Sequence, residues 1–307
     1  PWIAGWLVAL RTKGETPEEI TGFARALRRH AASIHCSARP LVDTCGTGGD
    51  GAHTFNISTA AALVAAGAGV HVAKHGNRSV SSRCGSADVL EALGVRLELP
   101  PGAVAEAVDT LGFGFLFAPR HHQAMRHAVE PRRALGLRTV FNILGPLANP
   151  AGAPHQVLGV FDEGLMETMA EVLRRLGVTR ALLVHGRDGL DEVSVCAPTR
   201  ILVVEDGRIE EEIFDPRGLG MGFCAAERLV GGDAAENAAI LRRVLDGEQG
   251  PRRDVVLLNA AAALRAAGRV QGFEEGVEVA ARAVDEGRAR DVLERYVDFT
   301  RHRGESP

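Results

Sequence analysis

A chain of 307 residues and 32.5 kDa, 46% of it apolar, has enough material to bury a full core and divide into two lobes. Its net charge of −4, without a stripe of clustered Arg and Lys, argues against a dedicated nucleic-acid binder, and no run of about eighteen apolar residues is present to span a membrane. Cys36, Cys45, Cys84, Cys196 and Cys224 form no C-x-x-C pair and no zinc spacing, and with no signal peptide in view they are expected as reduced thiols of a cytoplasmic protein.

The chain opens at Pro1 inside a helical pattern, so further residues are expected to precede it. Thr16-Pro17-Glu18-Glu19 is a capping box with proline at the first helical position, opening an amphipathic helix to about Ala32. Pro40 to Cys45 reads as a short buried strand running into Gly46-Thr47-Gly48-Gly49-Asp50-Gly51, where the backbone is free to take positive φ and turn N–H groups toward a ligand. Asn56-Ile57-Ser58-Thr59 then precedes the alanine-rich run Ala60 to Ala68, the pattern of a capped helix N-terminus. A strand from Gly69 to Ala73 ends in Lys74, followed by a polar loop His75 to Gly85 and a helix Ser86 to Leu93. Pro101 to Leu111 is another helix and Phe113 to Phe117 an apolar strand. Gln156 to Phe161 and Arg180 to His185 are strands separated by a helix Gly164 to Leu176. Ile201 to Val204 and Ile209 to Ile213 pair across Asp206-Gly207, a hairpin signal. The C-terminal part is helical, with turns at Gly250-Pro251, Gly268 and Gly287. Repeated strand-helix units predict an α/β protein with a mainly parallel central sheet flanked by helices, whose ligands gather at the carboxyl ends of the strands.

Three strand ends carry chemistry. The glycine loop and the helix N-terminus behind it together favour phosphate. Lys74 is one of two lysines against thirty-three arginines and lies in Gly51 to Ala87, a stretch without aspartate or glutamate, which reads as an anion-binding segment. A compact ammonium there is not interchangeable with a planar guanidinium, whereas Lys13, in a polar turn, reads as an ordinary surface lysine. The third end is Gly186 to Glu192, a glycine turn with Asp191 and Glu192 adjacent. Such acids are usually only solvated, but beside a polyphosphate they suit magnesium, which shares its positions between carboxylates, water and phosphate oxygens. Gly46 to Gly51 also satisfies G-x-G-x-x-G, yet a dinucleotide fold wants an acid at the end of the second strand, where Lys74 stands. His121, His122 and His127 raise zinc as an alternative, and without a cysteine or acid in a recognised pattern they read as helix-surface and pocket residues.

The motifs Gly46-Thr47-Gly48-Gly49-Asp50, Asn56-Ile57-Ser58-Thr59, Lys74-His75-Gly76-Asn77-Arg78, Gly85-Ser86-Ala87-Asp88 and Arg138 to Leu147, followed by Asp191-Glu192, resemble the anthranilate phosphoribosyltransferase family. The resemblance is dense from Val42 to Glu192 and looser beyond. It implies a smaller all-helical lobe, residues 1–38 plus about 120–147, joined to an α/β lobe of residues 39–119 plus 148–307, with homodimers formed through the helical lobe. It implies transfer of the 5-phosphoribosyl group from phosphoribosyl pyrophosphate to the amine of anthranilate with release of pyrophosphate. By the same resemblance, Gly46, Gly48, Gly49, Asp50, Thr54, Asn56, Ser58, Thr59, Lys74 and Ser86 would hold phosphoribosyl pyrophosphate. Gly46, His75, Asn77, Arg132 and Gly145 would line the anthranilate path, and Ser58, Asp191 and Glu192 would organise Mg2+. Gln123 stands where the family usually has proline, and Glu130-Pro131-Arg132 also departs from its pattern. A pyrimidine nucleoside phosphorylase shares the fold but reads differently at both the glycine loop and Lys74 to Arg78. A non-catalytic nucleic-acid-binding relative would show a basic groove and eroded motifs.

Overall fold

The computed structural model describes residues 2–79 and 83–303. Val80, Ser81 and Ser82 of the expected polar loop lie outside the described residues. In chain order the elements are α1 (Trp2–Lys13), α2 (Pro17–His30), β1 (Leu41–Gly46), α3 (Ile57–Gly67), β2 (His71–Gly76), α4 (Ser86–Ala92), α5 (Pro101–Leu111), β3 (Phe113–Phe117) and α6 (Ala118–His121). They continue with α7 (Arg126–Leu135), α8 (Phe141–Leu144), β4 (His155–Gly159), α9 (Met166–Arg175), β5 (Arg180–Gly186), β6 (Thr199–Glu205), β7 (Arg208–Phe214), α10 (Ala234–Leu245), α11 (Pro251–Ala266), α12 (Phe273–Asp285) and α13 (Arg288–Arg303).

One sheet runs in the order β3-β2-β1-β4-β5-β6-β7. The first five strands are parallel, and β6 and β7 close the edge antiparallel through a turn in which Asp206 and Gly207 both take positive φ. The chain leaves β1 toward β2 and β3, then returns to β1's other side as β4. That reversal opens a crevice at the carboxyl ends of β1 and β4, where an open α/β sheet takes its ligands.

On one face α3, rich in alanine, and α11, with the run Ala260 to Ala263, are buried nearly all round and lie within the large core cluster. On the other, Leu7, Ile20 and Ala24 of the N-terminal helices share a buried cluster with Met166, Met169 and Leu173 of α9. The Thr16 capping box is formed: Thr16 Oγ1 accepts from the Glu19 N–H at 3.3 Å and Glu19 accepts from the Thr16 N–H at 3.0 Å.

Two strand ends and one helix cap differ from the sequence reading in ways that bear on the site. β2 continues to Gly76, because Lys74 and His75 pair with Phe115 and Leu116 of β3, so Lys74 sits inside the strand. β4 stops at Gly159 and leaves Phe161 outside the ladder. Asn56 occupies the N-cap position of α3 but makes no side-chain cap, its amide being engaged elsewhere.

Candidate active site

The glycine loop is fixed at its base and open at its tip. Thr47 N donates to Gly159 O at 2.9 Å and Thr47 Oγ1 accepts from Phe161 N at 3.0 Å, tying the loop to the end of β4. Gly48, Gly49 and Gly51 take φ of +64°, +84° and +74°, conformations open to glycine without a Cβ penalty. The Gly48 N–H points at the Asp191 carboxylate, 2.9 Å away. Asp191 fits there because β1 and β4 end in glycine: a Cβ on Gly46 would lie 2.6 Å from Asp191 Oδ2, and one on Gly159 only 1.7 Å from the Asp191 backbone oxygen. A strand-end turn would ordinarily carry little packing, but this one is wedged against two strands.

The two acids of that turn are crowded and buried. Burial, then the charge of Asp50, pushes the Asp191 carboxyl up to about 7. Burial and the adjacent Asp191 raise Glu192 well above its ordinary range, with Lys74 pulling the other way. Among the described residues no three His, Cys, Asp or Glu side chains converge as a ready metal cage, so a metal here would need oxygens from a ligand.

Lys74 is 2% exposed. Its ammonium donates to Thr44 O, to Thr44 Oγ1 at 3.4 Å and to Ser58 Oγ at 3.3 Å. Burial lowers its pKa, opposed chiefly by Asp43. The segment around it is free of acids in sequence but not in space: Lys74 feels Asp43 and Glu192, and Arg78 bonds Asp88 at 3.1 Å and Glu91 at 2.8 Å. Arg78 therefore belongs to a surface ion-pair network, although it lies in the segment that reads as anion-binding.

Other expected phosphate contacts are spread around this centre. Asn56 gives its amide N–H to Cys84 O at 3.1 Å and accepts from the buried Asn237 at 2.9 Å. Thr59 is fully buried with its hydroxyl unpartnered. Thr54 is half-buried and forms an isolated bridge with Val230, and Asp50 accepts from Ala52 N at 3.2 Å. Ser86 opens α4, with Oγ 3.4 Å from Asn77 O and pressed so closely on Gly76 that a Cβ there would lie 2.3 Å from it.

A second cluster lies on the opposite face of β1 and β2. His75 N donates to Asp43 Oδ1 at 3.1 Å, and His75 Nδ1 meets Gly145 O at 3.2 Å, which places the ring proton on Nδ1 and leaves Nε2 an acceptor without a partner. The His122 ring packs edge-on at 5.0 Å, its Nε2 also unpartnered. Burial first, and neighbouring histidines second, pull His75 down to about 3 and His122 to about 4. Both rings are therefore neutral at physiological pH. His121 bonds Ala32 O at 3.2 Å, and His127 is exposed, so the three histidines do not form a zinc set. Gly145 has open space beside its Cα. Arg132, half-buried on α7, lies 5.3 Å above the Phe141 ring, and burial lowers its pKa; Arg133 is exposed. Asn77 is exposed and accepts from Arg78 N at 2.7 Å.

The glycine loop, Ser58, Lys74, Asp191 and Glu192 thus form one connected group, and His75 and Gly145 another. Arg132, Asn77 and Ser86 stand at the margins. Sequence reasoning missed Asp43, Thr44, Gln156 and Asn237. Gln156 donates to Pro146 O at 2.7 Å and so anchors the Gly145 turn to β4, while Asp43 supports His75. For Asp43, Thr44 and Gln156 the only signal was polarity inside strands that read as apolar, and Asn237, on α10, had none. Gln123 lines an open cleft of about 340 Å³ with Phe117, Arg120 and Glu98.

Comparison with known proteins gives a consistent set of relatives. Residues 38–290 match the glycosyl transferase family a/b domain and residues 3–31 its helical bundle domain. An anthranilate phosphoribosyltransferase of Symbiobacterium thermophilum is 56% identical over 305 residues, covering 99% of this chain and 89% of the relative. The enzyme of that name from Desulfosudis oleivorans is 54% identical over 303 residues, covering 98% and 89%. Among solved structures, the Thermus thermophilus anthranilate phosphoribosyltransferase superposes with a TM-score of 0.92 at 52% identity, covering 97% of this chain and 89% of the other. The Saccharomyces cerevisiae enzyme, solved in complex with PRPP and Mg, gives 0.90 at 30% identity, covering 98% and 85%.

Proposed function

The chain belongs to the anthranilate phosphoribosyltransferase family, and from that premise we propose how its site divides the work. The reaction is displacement of pyrophosphate from the anomeric carbon of phosphoribosyl pyrophosphate by the amine of anthranilate, in tryptophan biosynthesis. The names of the relatives favour it over nucleoside phosphorolysis and over nucleic-acid binding. Such a displacement needs the leaving group's charge neutralised and the amine held in line.

The observation that carries the assignment is the contact of the glycine loop with the Asp191-Glu192 turn, with the Lys74 ammonium bonded to Ser58 and near enough to Glu192 to oppose the rise of its pKa. The loop's backbone donors, Ser58 and Lys74 would bind phosphoribosyl pyrophosphate together with Asp50, Thr54, Asn56, Thr59 and Ser86. Two crowded carboxylates with a hydroxyl nearby form a hard oxygen donor set, which fits Mg2+. Asp191, Glu192 and Ser58 would hold that ion, and it would supply charge neutralisation to the departing pyrophosphate. The yeast relative's complex with PRPP and Mg supports this reading.

Anthranilate would enter on the His75 side, where two ring nitrogens offer lone pairs to an amine N–H and Gly145 leaves room for the ring. Arg132 would meet the carboxylate through a charge-assisted pair, with Asn77 at the rim. A yeast structure with 4-fluoroanthranilate supports a site for the aromatic acid in this fold. We also read residues 1–38 with about 120–147 as a helical lobe. Trp2 at 92% exposure, Trp6, Val129 and Leu137 give that region an apolar surface suited to a homodimer contact. A cytoplasmic location accords with a biosynthetic role, and no described helix is long and apolar enough to cross a membrane.

Loss of anthranilate fluorescence tests the function. It is expected only when enzyme, phosphoribosyl pyrophosphate and magnesium are all present, and fluorescence that stays constant under those conditions contradicts it.

A further inference from the structure

Arg138 opens the ten-residue motif ending at Leu147, two residues beyond Gly136, the left-handed residue that ends α7. Its guanidinium reaches across to the glycine loop, where Nη2 donates to Gly49 O at 2.7 Å. The other side of the guanidinium rests on the Phe161 ring, 4.2 Å from the centroid. Phe161 in turn gives its backbone N–H to Thr47 Oγ1. Thr47, Phe161, Arg138 and Gly49 therefore form a closed circuit that grips the loop at two points.

In a concave run of backbone donors the N–H groups serve an anion only if the carbonyls point away. Gly48 and Gly49, at φ of +64° and +84°, have no side chain to restrict rotation of the peptide that follows. A Gly49 carbonyl turned inward would set a negative dipole against a phosphate. The Arg138 hydrogen bond engages that carbonyl, and stacking on Phe161 fixes the guanidinium that does so. Gly49 is fitted to this contact, since a Cβ there would lie 3.1 Å from Nη2.

We propose that Arg138 is a positioning residue for phosphoribosyl pyrophosphate: it sets the Gly49 carbonyl, keeps the loop shaped for the pyrophosphate, and links that loop to the chain segment carrying Arg132. The proposal rests on the reading of the glycine loop as the pyrophosphate site. It requires both a donor and a flat stacking surface, so lysine restores the first without the second.

The test compares wild type, Arg138→Met and Arg138→Lys. Arg138→Met should raise KM for phosphoribosyl pyrophosphate about tenfold, the size of one lost charge-assisted hydrogen bond. KM for anthranilate at saturating phosphoribosyl pyrophosphate should stay within about twofold, and Arg138→Lys should recover part of the loss. Unchanged constants, or movement of the anthranilate constant alone, overturn the proposal. Calorimetry with inorganic pyrophosphate and magnesium gives an independent reading without turnover: about tenfold weaker binding in Arg138→Met supports the proposal, and equal affinity overturns it. Failure of the wild type to consume anthranilate would sink the broader reading instead, leaving the pyrophosphate comparison to decide the role of Arg138.

Discussion

The glycine-loop side of the site is made largely of backbone groups and side chains already in contact, whereas the His75 side is made of side chains left waiting. Gly48 N, Lys74 and Ser58 all have partners within the protein, and the tension lies in Asp191 and Glu192, two acids buried side by side. On the other side His75 Nε2 and His122 Nε2 are buried acceptors with nothing to accept. A buried unpaired polar atom costs about 1–3 kcal/mol, which a ligand bearing donors would relieve. One side is thus prepared for negative charge with its cation, the other for a neutral amine on a flat ring.

The largest effect should come from removing the acids' charge while keeping their packing. Asp191→Asn with Glu192→Gln retains the turn wedged against Gly46 and Gly159. It should lower kcat by at least about a hundredfold, in line with loss of a metal-assisted charge clamp. Near-native turnover and unchanged magnesium dependence would make them ordinary turn acids.

Lys74→Arg probes the same side more gently. The ammonium is enclosed by Thr44 and Ser58 at 2% exposure, so a longer, flat guanidinium must displace them. We expect at least about a tenfold loss in kcat/KM, equivalent to about 1.4 kcal/mol, and a lower melting temperature from overpacking. Kinetics matching the wild type would mean that charge alone is required.

Arg132→Ala moves to the other side. KM for anthranilate should rise about tenfold while that for phosphoribosyl pyrophosphate holds, and Arg133→Ala, at an exposed position, should change neither. A rise in the phosphoribosyl pyrophosphate constant would transfer Arg132 to the phosphate side.

The last effect is read in stability against pH rather than in turnover. His75 and His122 titrate at about 3 and about 4 when folded and near 6.5 when unfolded. As pH falls below 6.5 the unfolded chain takes up protons first, so their contribution is full above that value and declines down through about 4 for His122 and about 3 for His75. His75→Gln should flatten this slope in chemical denaturation at stepped pH. An unchanged slope would assign the acid sensitivity elsewhere.

The two sides also differ in how legible they were in sequence. Gly46 to Gly51 with the helix behind it is a local pattern, and the backbone conformations it suggested are those found. The strand-helix rhythm likewise marked the parallel sheet. What escaped depends on the crossover at β1 and β4. The packing of the Asp191 turn requires glycines at positions 46 and 159, more than a hundred residues apart. Asn56 looked like a helix cap but is claimed by Asn237, which nothing local connects to it. Arg78 fell in a segment that read as anion-binding because its partners, Asp88 and Glu91, lie on α4, just beyond that segment.

The stoichiometry of a single reaction tests the central claim most directly. With magnesium and excess phosphoribosyl pyrophosphate, the purified protein should release one pyrophosphate for each anthranilate consumed, and none when anthranilate is omitted. Release of pyrophosphate independent of anthranilate, or phosphorolysis of thymidine or uridine without anthranilate turnover, would contradict it.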